Sequence, residues 1–334
     1  MSKKVRDAFA KGKAFIPFIT CGDPALEVTE QLVYACEEAG ADLIELGIPF
    51  SDPTAEGPVI QAANMRALAG GVTTDRIFAM VERIRQKTDI PMVFMTYANV
   101  VFSYGKGTED FIRKAAAIGM NGLILPDVPF EEKEEFDSPC RKYGLDLISL
   151  IAPTSHERIK LIAKEANGFV YCVSSLGVTG TRTEITTDIG AMVKLVKEAK
   201  DIPCAVGFGI STPEQAKKMA AQSDGAIVGS AIVKLCAAYG AECVPKVREY
   251  VKSMKDAVRE GDLLRSRYGA PYSGREPTYN MQLTVRIAED GSLRYVSNRT
   301  LPLELDNGVK AVNIGEVLSG SGWQPLYTCP VPEG

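Results

Sequence analysis

Three carboxylates stand close together in the stretch ELGIPFSDPTAEGP: Glu45, Asp52 and Glu56, interleaved with Gly47, Pro49, Pro53, Gly57 and Pro58. A glutamate inside an apolar run, followed by a stiff acidic loop, admits two readings. One is a structural ion pair. The other is acid–base chemistry, because apolar surroundings favour the protonated carboxyl and raise its pKa. The alternation in DLIELGIP bears on the choice. Ile44, Leu46 and Ile48 form the greasier set, which leaves Leu43, Glu45 and Gly47 on the opposite face. None of the strand-like runs of the chain contains Lys or Arg, so a neighbouring strand offers Glu45 no cation. Glu45 is therefore the candidate proton donor. Glu56, in the loop beyond it, is a second carboxylate whose different surroundings suit a division of acid and electrostatic roles.

Other residue types narrow the chemistry further. The single histidine, His156, stands at an apparent helix start, which argues against a Ser-His-Asp triad and excludes a multi-His metal site. The eight cysteines are spread singly, without CxxC or metal-ligand spacing, and read as reduced core residues of a cytosolic protein. Glycine groups in SSLGVTGT, GFGIST and VGSAI follow three late apolar runs, where backbone N–H groups and a helix N-terminus can hold phosphate. Tyr171 shares a face with Phe169 and Val173, and Phe18 and Phe208 could line an apolar pocket or belong to the core. The residues alone thus imply a metal-free enzyme using carboxylates on a phosphorylated substrate with an apolar part.

These groups need a scaffold that brings them to one end. Short apolar runs (15–22, 42–49, 92–99, 122–128, 146–153, 169–175, 203–209 and 225–232) alternate with amphipathic helical stretches. Their spacing of about thirty residues is that of a βα unit, and eight such units predict an α/β fold, a (β/α)8 TIM barrel. A doubly wound dinucleotide fold would want GxGxxG at the first turn, where this chain reads TCGDP. In a barrel, Glu45 points inward near the C-terminal end of its strand, where barrel active sites form. The start MSKKVRDAFAKGK reads as a short basic helix rather than a signal peptide. With 46% hydrophobic residues, 24% charged and a net charge of −4, the chain is globular and has no general affinity for nucleic acid or acidic membranes. Beyond residue 258 the texture changes. Residues 259–275 read as a linker rich in Gly, Pro and Arg, and 276–334 as a small β appendage, in which Asp290-Gly291 suits a hairpin turn.

Taken in order, PFITCGDP, IELGIPFSDPTAEGPVIQ, LPDVP, SSLGVTGTR, GFGIS and GAIVGSAIVK resemble the tryptophan synthase α subunit family over about residues 1–258. The resemblance implies a lyase of L-tryptophan biosynthesis that cleaves indole-3-glycerol phosphate to indole and glyceraldehyde 3-phosphate. It implies Glu45 as general acid–base and Glu56 as the group holding the indole N–H. Tyr171 matches a substrate-contacting tyrosine, and Thr179 and Gly180 fall on a mobile loop. Gly180, Gly209, Gly229 and Ser230 match the phosphate cradle. Asp52, Pro53, Asn99 and Phe102 match surfaces facing a β subunit in an α2β2 complex. Pyridoxal phosphate belongs to that partner, and this chain is expected to need no cofactor. One departure stands out: the family pattern expected at the loop is ADGP, whereas this chain reads AEGP. The added methylene requires Glu56 to reach from a retracted loop. Two further readings stay open, a free-standing indole-releasing lyase and a catalytically weakened activator of β. The appendage is not explained by the resemblance.

Overall fold

The computed structural model describes residues 5–173, 188–207, 209–267, 284–287, 293–297 and 311–313, with side chains up to residue 259. The chain divides into two compact units, Met1–Pro271 and Tyr272–Gly334.

The first unit is a ring of parallel strands. In chain order they are Ala14–Thr20 (β1), Ile44–Gly47 (β2), Met92–Met95 (β3), Gly122–Ile124 (β4), Asp146–Leu147 (β5), Ser149–Ile151 (β6), Val170–Val173 (β7), Cys204–Gly207 (β8) and Gly225–Val228 (β9). They pair in the order β5-β4-β3-β2-β1-β9-β8-β7-β6. β5 and β6 are two halves of one stretch interrupted at Ile148, whose N–H donates to the Leu123 carbonyl at 2.9 Å. One half pairs with β4 and the other with β7, so the stretch closes the barrel. The eight apolar runs are all present. Most end earlier than their apolar composition suggests: in GAIVGSAI the strand stops at Val228 and a helix begins at Ser230.

Alternation sorts the side chains into two cores. Facing the helices are Phe15, Ile19, Ile44, Leu46, Ile48, Val170, Cys172, Cys204 and Val206. Filling the barrel are Ile16, Phe18, Leu43, Val93, Ile124, Phe169, Tyr171, Ala205 and Ile227. The period-two pattern of each strand thus becomes an inside and an outside. The helices complete the outer core. In Thr74–Arg85, Thr73 caps the N-terminus by accepting from the Arg76 N–H, and Ile77, Phe78, Met80, Val81 and Ile84 form its buried stripe.

The N-terminal end of the barrel is plugged. A short 3-10 helix, Val5–Phe9, places Val5 and Ala8 in the interior core, and the Phe9 ring meets Phe169 with centroids 5.5 Å apart. Around that end Lys255 donates to Asp42 at 2.5 Å and to the Lys13 carbonyl at 3.0 Å, and Asp42 accepts from the Phe15 N–H at 2.7 Å. The basic start of the chain and its last barrel helix, Cys243–Arg267, are thereby tied to the first two strands. In the second unit, Thr284–Ile287 pairs antiparallel with Leu293–Ser297 on one side and Ala311–Asn313 on the other.

Candidate active site

Glu45 sits in β2, level with Phe18 of β1 and Val93 of β3. Its side chain is 1% exposed, and among the described residues neither carboxyl oxygen meets a hydrogen-bond partner. Burial, with a smaller push from the charge of Glu56, raises its pKa from 4.5 to about 8. An ionised carboxylate here would be poorly solvated, so burial favours the neutral acid. The ion-pair reading of the sequence is not what the structure shows.

Glu56 arrives from the loop after β2. It precedes the helix Pro58–Ala69, whose first residue is a proline that needs no N–H partner there. Two contacts fix the loop: the Tyr97 hydroxyl accepts from the Ala55 N–H at 3.1 Å, and Gln61 Nε2 donates to the Glu56 carbonyl at 2.7 Å. The Glu56 side chain turns inward and is buried, with Asn64 Nδ2 donating to Oε2 at 2.7 Å. Burial raises its pKa to about 7, and the Asn64 hydrogen bond opposes that rise. Both shifts favour the neutral carboxyl, and among the described residues only Glu56 has a hydrogen bond that favours its charged form.

Both carboxyls line one cleft of about 480 Å³, counting its open mouth, together with Phe18, Ile60, Tyr171, Gly209, Gly229 and Ser230. Tyr171 is buried beside Glu45, and burial followed by the Glu45 charge pushes its hydroxyl pKa well up, so it acts as a neutral phenol. Gly209, also in the lining, adopts φ +86°, a left-handed conformation that suits glycine. Gly229 caps the helix Ser230–Tyr239, whose first-turn amides have no intrahelical acceptor and point their dipole at the cleft. The cleft thus combines two carboxyls and an apolar lining with backbone donors.

The structure brings seven of the expected site residues together: Glu45, Glu56, Tyr171, Phe18, Gly209, Gly229 and Ser230. Thr179, Gly180 and Phe208 lie outside the described residues. Asp52, Pro53, Asn99 and Phe102 do not line the cleft. Asp52 and Asn99 are exposed, Pro53 is half-buried, and Phe102 is 42% exposed with its ring against Phe136. Sequence reasoning missed Ile60, Met95, Ile210 and Ile227 in the lining, and it missed Asn64, the donor to Glu56. A signal for Asn64 existed: it is the single polar residue among Ile60, Ala63, Asn64 and Ala67, the buried face of its helix. Two glycines were also missed. A Cβ at Gly47 would stand 2.5 Å from the Phe18 ring, and one at Gly207 would stand 2.3 Å from the Tyr171 hydroxyl. Both cleft aromatics lie where a neighbouring strand has no side chain.

A family model described as the tryptophan synthase alpha chain matches residues 6–259. The chain belongs to the tryptophan synthase α family. A tryptophan synthase alpha chain of Lacticaseibacillus casei is 46% identical over 258 residues, covering 77% of this chain and 96% of the relative. One from a Thermoanaerobacter species is 50% identical over 248 residues, covering 74% and 94%. Among solved structures, Mycobacterium tuberculosis tryptophan synthase superposes with a TM-score of 0.69 at 34% identity, covering 78% of this chain and 99% of that one. The tryptophan synthase α2β2 complex of Pyrococcus furiosus gives 0.67 at 34% identity, covering 73% and 99%. The family match stops at residue 259, so the second unit lies outside it. Among the described residues no helix is long and apolar enough to cross a membrane, and no cluster of His, Cys, Asp and Glu is placed to hold a metal ion.

Proposed function

We propose that this cleft performs the α reaction of tryptophan synthase as a two-carboxylate retro-aldol cleavage of indole-3-glycerol phosphate. Glu45, neutral at pH 7, delivers its proton to the ring carbon that bears the glycerol chain. The ring nitrogen becomes electron-poor, and the Glu56 carboxylate accepts its N–H hydrogen bond and balances the developing charge. The Glu45 carboxylate so formed removes the proton from the adjacent hydroxyl. The carbon–carbon bond breaks, its electron pair restores the aromatic ring, and the hydroxyl carbon becomes the aldehyde. Indole and glyceraldehyde 3-phosphate result, with Glu45 reprotonated and no net change at Glu56. Phe18 and Ile60 pack against the ring. Tyr171 orders the substrate near the acid, and Gly209, Gly229 and Ser230 receive the phosphate, aided by Thr179 and Gly180. Phe208 joins the apolar lining. The single observation that carries this assignment is a buried carboxyl without a partner among the described residues, facing a second, tethered carboxyl in the same cleft.

The exposed loop and helix carrying Asp52, Pro53, Asn99 and Phe102 are assigned to docking a tryptophan synthase β subunit. The α2β2 assembly of the Pyrococcus furiosus relative supports that assignment. Pyridoxal phosphate is assigned to that partner, and the chemistry above uses only side chains of this chain. Buried thiols at Cys21, Cys36, Cys140, Cys172, Cys204, Cys236 and Cys243 support a reducing, cytoplasmic setting. We assign 1–258 as the TIM-barrel lyase domain, 259–275 as a linker and 276–334 as a small β appendage.

The deciding assay is indole release from indole-3-glycerol phosphate by the full chain, with and without a β subunit. Slow release that β accelerates is expected. Fast release indifferent to β would favour the free-standing lyase. No release in either condition would overturn the lyase assignment and leave a weakened activator.

A further inference from the structure

We infer that Asn64 is a positioning residue of the α reaction, holding the Glu56 carboxylate charged and aimed into the cleft so that the proton of the carboxyl pair stays on Glu45. The inference rests on the reading of Glu56 as the group that meets the indole N–H.

Glutamate at this position has one more rotatable bond than the aspartate of the family pattern, and a longer side chain loses more entropy when it is fixed. The helix that follows supplies the restraint. Gln61 ties the Glu56 carbonyl and Asn64 ties its carboxylate, both at 2.7 Å, so backbone and head group are pinned by residues five and eight positions on. Asn64 is 3% exposed, and its amide is a donor that reaches the Glu56 carboxylate without adding a charge.

The surroundings show why one neutral donor matters. From β2 Glu56 is faced by Glu45. From the end of β3 it is faced by Tyr97, with Asp127 beyond, and Tyr171 of β7 lies behind Glu45. All of these are acids. Arg66, on the same helix as Asn64, is engaged by Asp23 through bonds of 2.8 and 2.7 Å. Two like-charged carboxyls in one cleft share their protons as a pair, and only the arrangement with a neutral Glu45 and charged Glu56 can start the reaction. A hydrogen bond to the charged form of one member selects that arrangement.

The test is the pH profile of kcat for the full chain carrying Asn64→Leu or the shape-conserving Asn64→Asp, each also combined with Glu56→Gln. With Glu56 native, the acidic limb should move up by about one pH unit, so that kcat near pH 6 falls about tenfold while KM changes little. In the Glu56→Gln background the Asn64 substitutions should cost nothing further. A uniform loss with the limb unmoved, or the same loss in both backgrounds, would overturn the inference. If Glu56→Gln alone leaves kcat and the limb unchanged, the role of Glu56 itself falls, and that of Asn64 with it.

Discussion

Gly207 lies directly against the phenol of Tyr171: a Cβ at the glycine would stand 2.3 Å from the hydroxyl oxygen and 2.5 Å from the nearest ring carbon. The two residues are on adjacent strands, β8 and β7, and the missing side chain of one is the seat of the other. Gly207→Ala should therefore displace Tyr171 within the cleft. We expect a loss of about 1–3 kcal/mol in urea unfolding and a reduced kcat/KM. Because the ring carbons also collide, Tyr171→Phe should not rescue the variant, whereas in a Tyr171→Ala background, which carries its own cavity cost, Gly207→Ala should cost little further. Additive losses in that double variant would show that the contact is not the cause.

Glu45→Gln keeps size and polarity while removing the titrating proton. Turnover should fall by about 10² to 10⁴-fold, with substrate affinity retained in a binding titration.

The same substitution carries a pH signature in stability. Glu45 has a folded pKa of about 8 against 4.5 unperturbed, so folding favours its neutral form. Below about pH 4.5 both states are protonated and the group is neutral to stability. As pH rises from 4.5 toward 8, the unfolded chain ionises and the native chain does not, which costs stability progressively. Above pH 8 the Gln variant should therefore gain on the native chain, by about 4–5 kcal/mol relative to its standing at pH 4.5. Urea midpoints compared at pH 4.5 and pH 8.5 test this, and an equal difference at both would refute it.

Glu56→Gln removes one of the two influences that raise the Glu45 pKa. The Glu45 titration, followed by carbon NMR of its carboxyl, should move toward lower pH, and burial should keep it above the ordinary value. A titration that does not move would mean that the two groups do not sense each other.

At the opposite end of the barrel, Asp42→Asn weakens the bond from Lys255 and leaves a buried ammonium with less compensation. A loss of about 2–3 kcal/mol is expected in urea, with kcat unchanged where the native state persists. A fall in kcat under native conditions would contradict a purely structural role.

What the sequence disclosed follows from the range of the forces involved. Glu45 was legible because its exposure to the interior is decided by period-two alternation over five residues, Leu43 to Gly47. The barrel was legible because eight repeats of one local pattern have few packing solutions. The strand ends were less so: GAIVGSAI is uniformly apolar or small, and only a helix N-terminus facing the cleft decides that Ser230 begins a new element. The break at Ile148 depends on pairing one stretch with two different neighbours. Gly47 and Gly207 were silent for the same reason. Each is defined by a residue on another element, and one sequence without its partners in space carries no mark of that.

The plug formed by Val5, Ala8 and Phe9 makes the barrel a blind well, with the Phe9 ring seated on Phe169 as its floor. Among the described residues, the cleft that holds Glu45 opens at the rim that carries Glu56. A neighbour seated on that rim would act at once as gatekeeper for what arrives and as receiver of what departs.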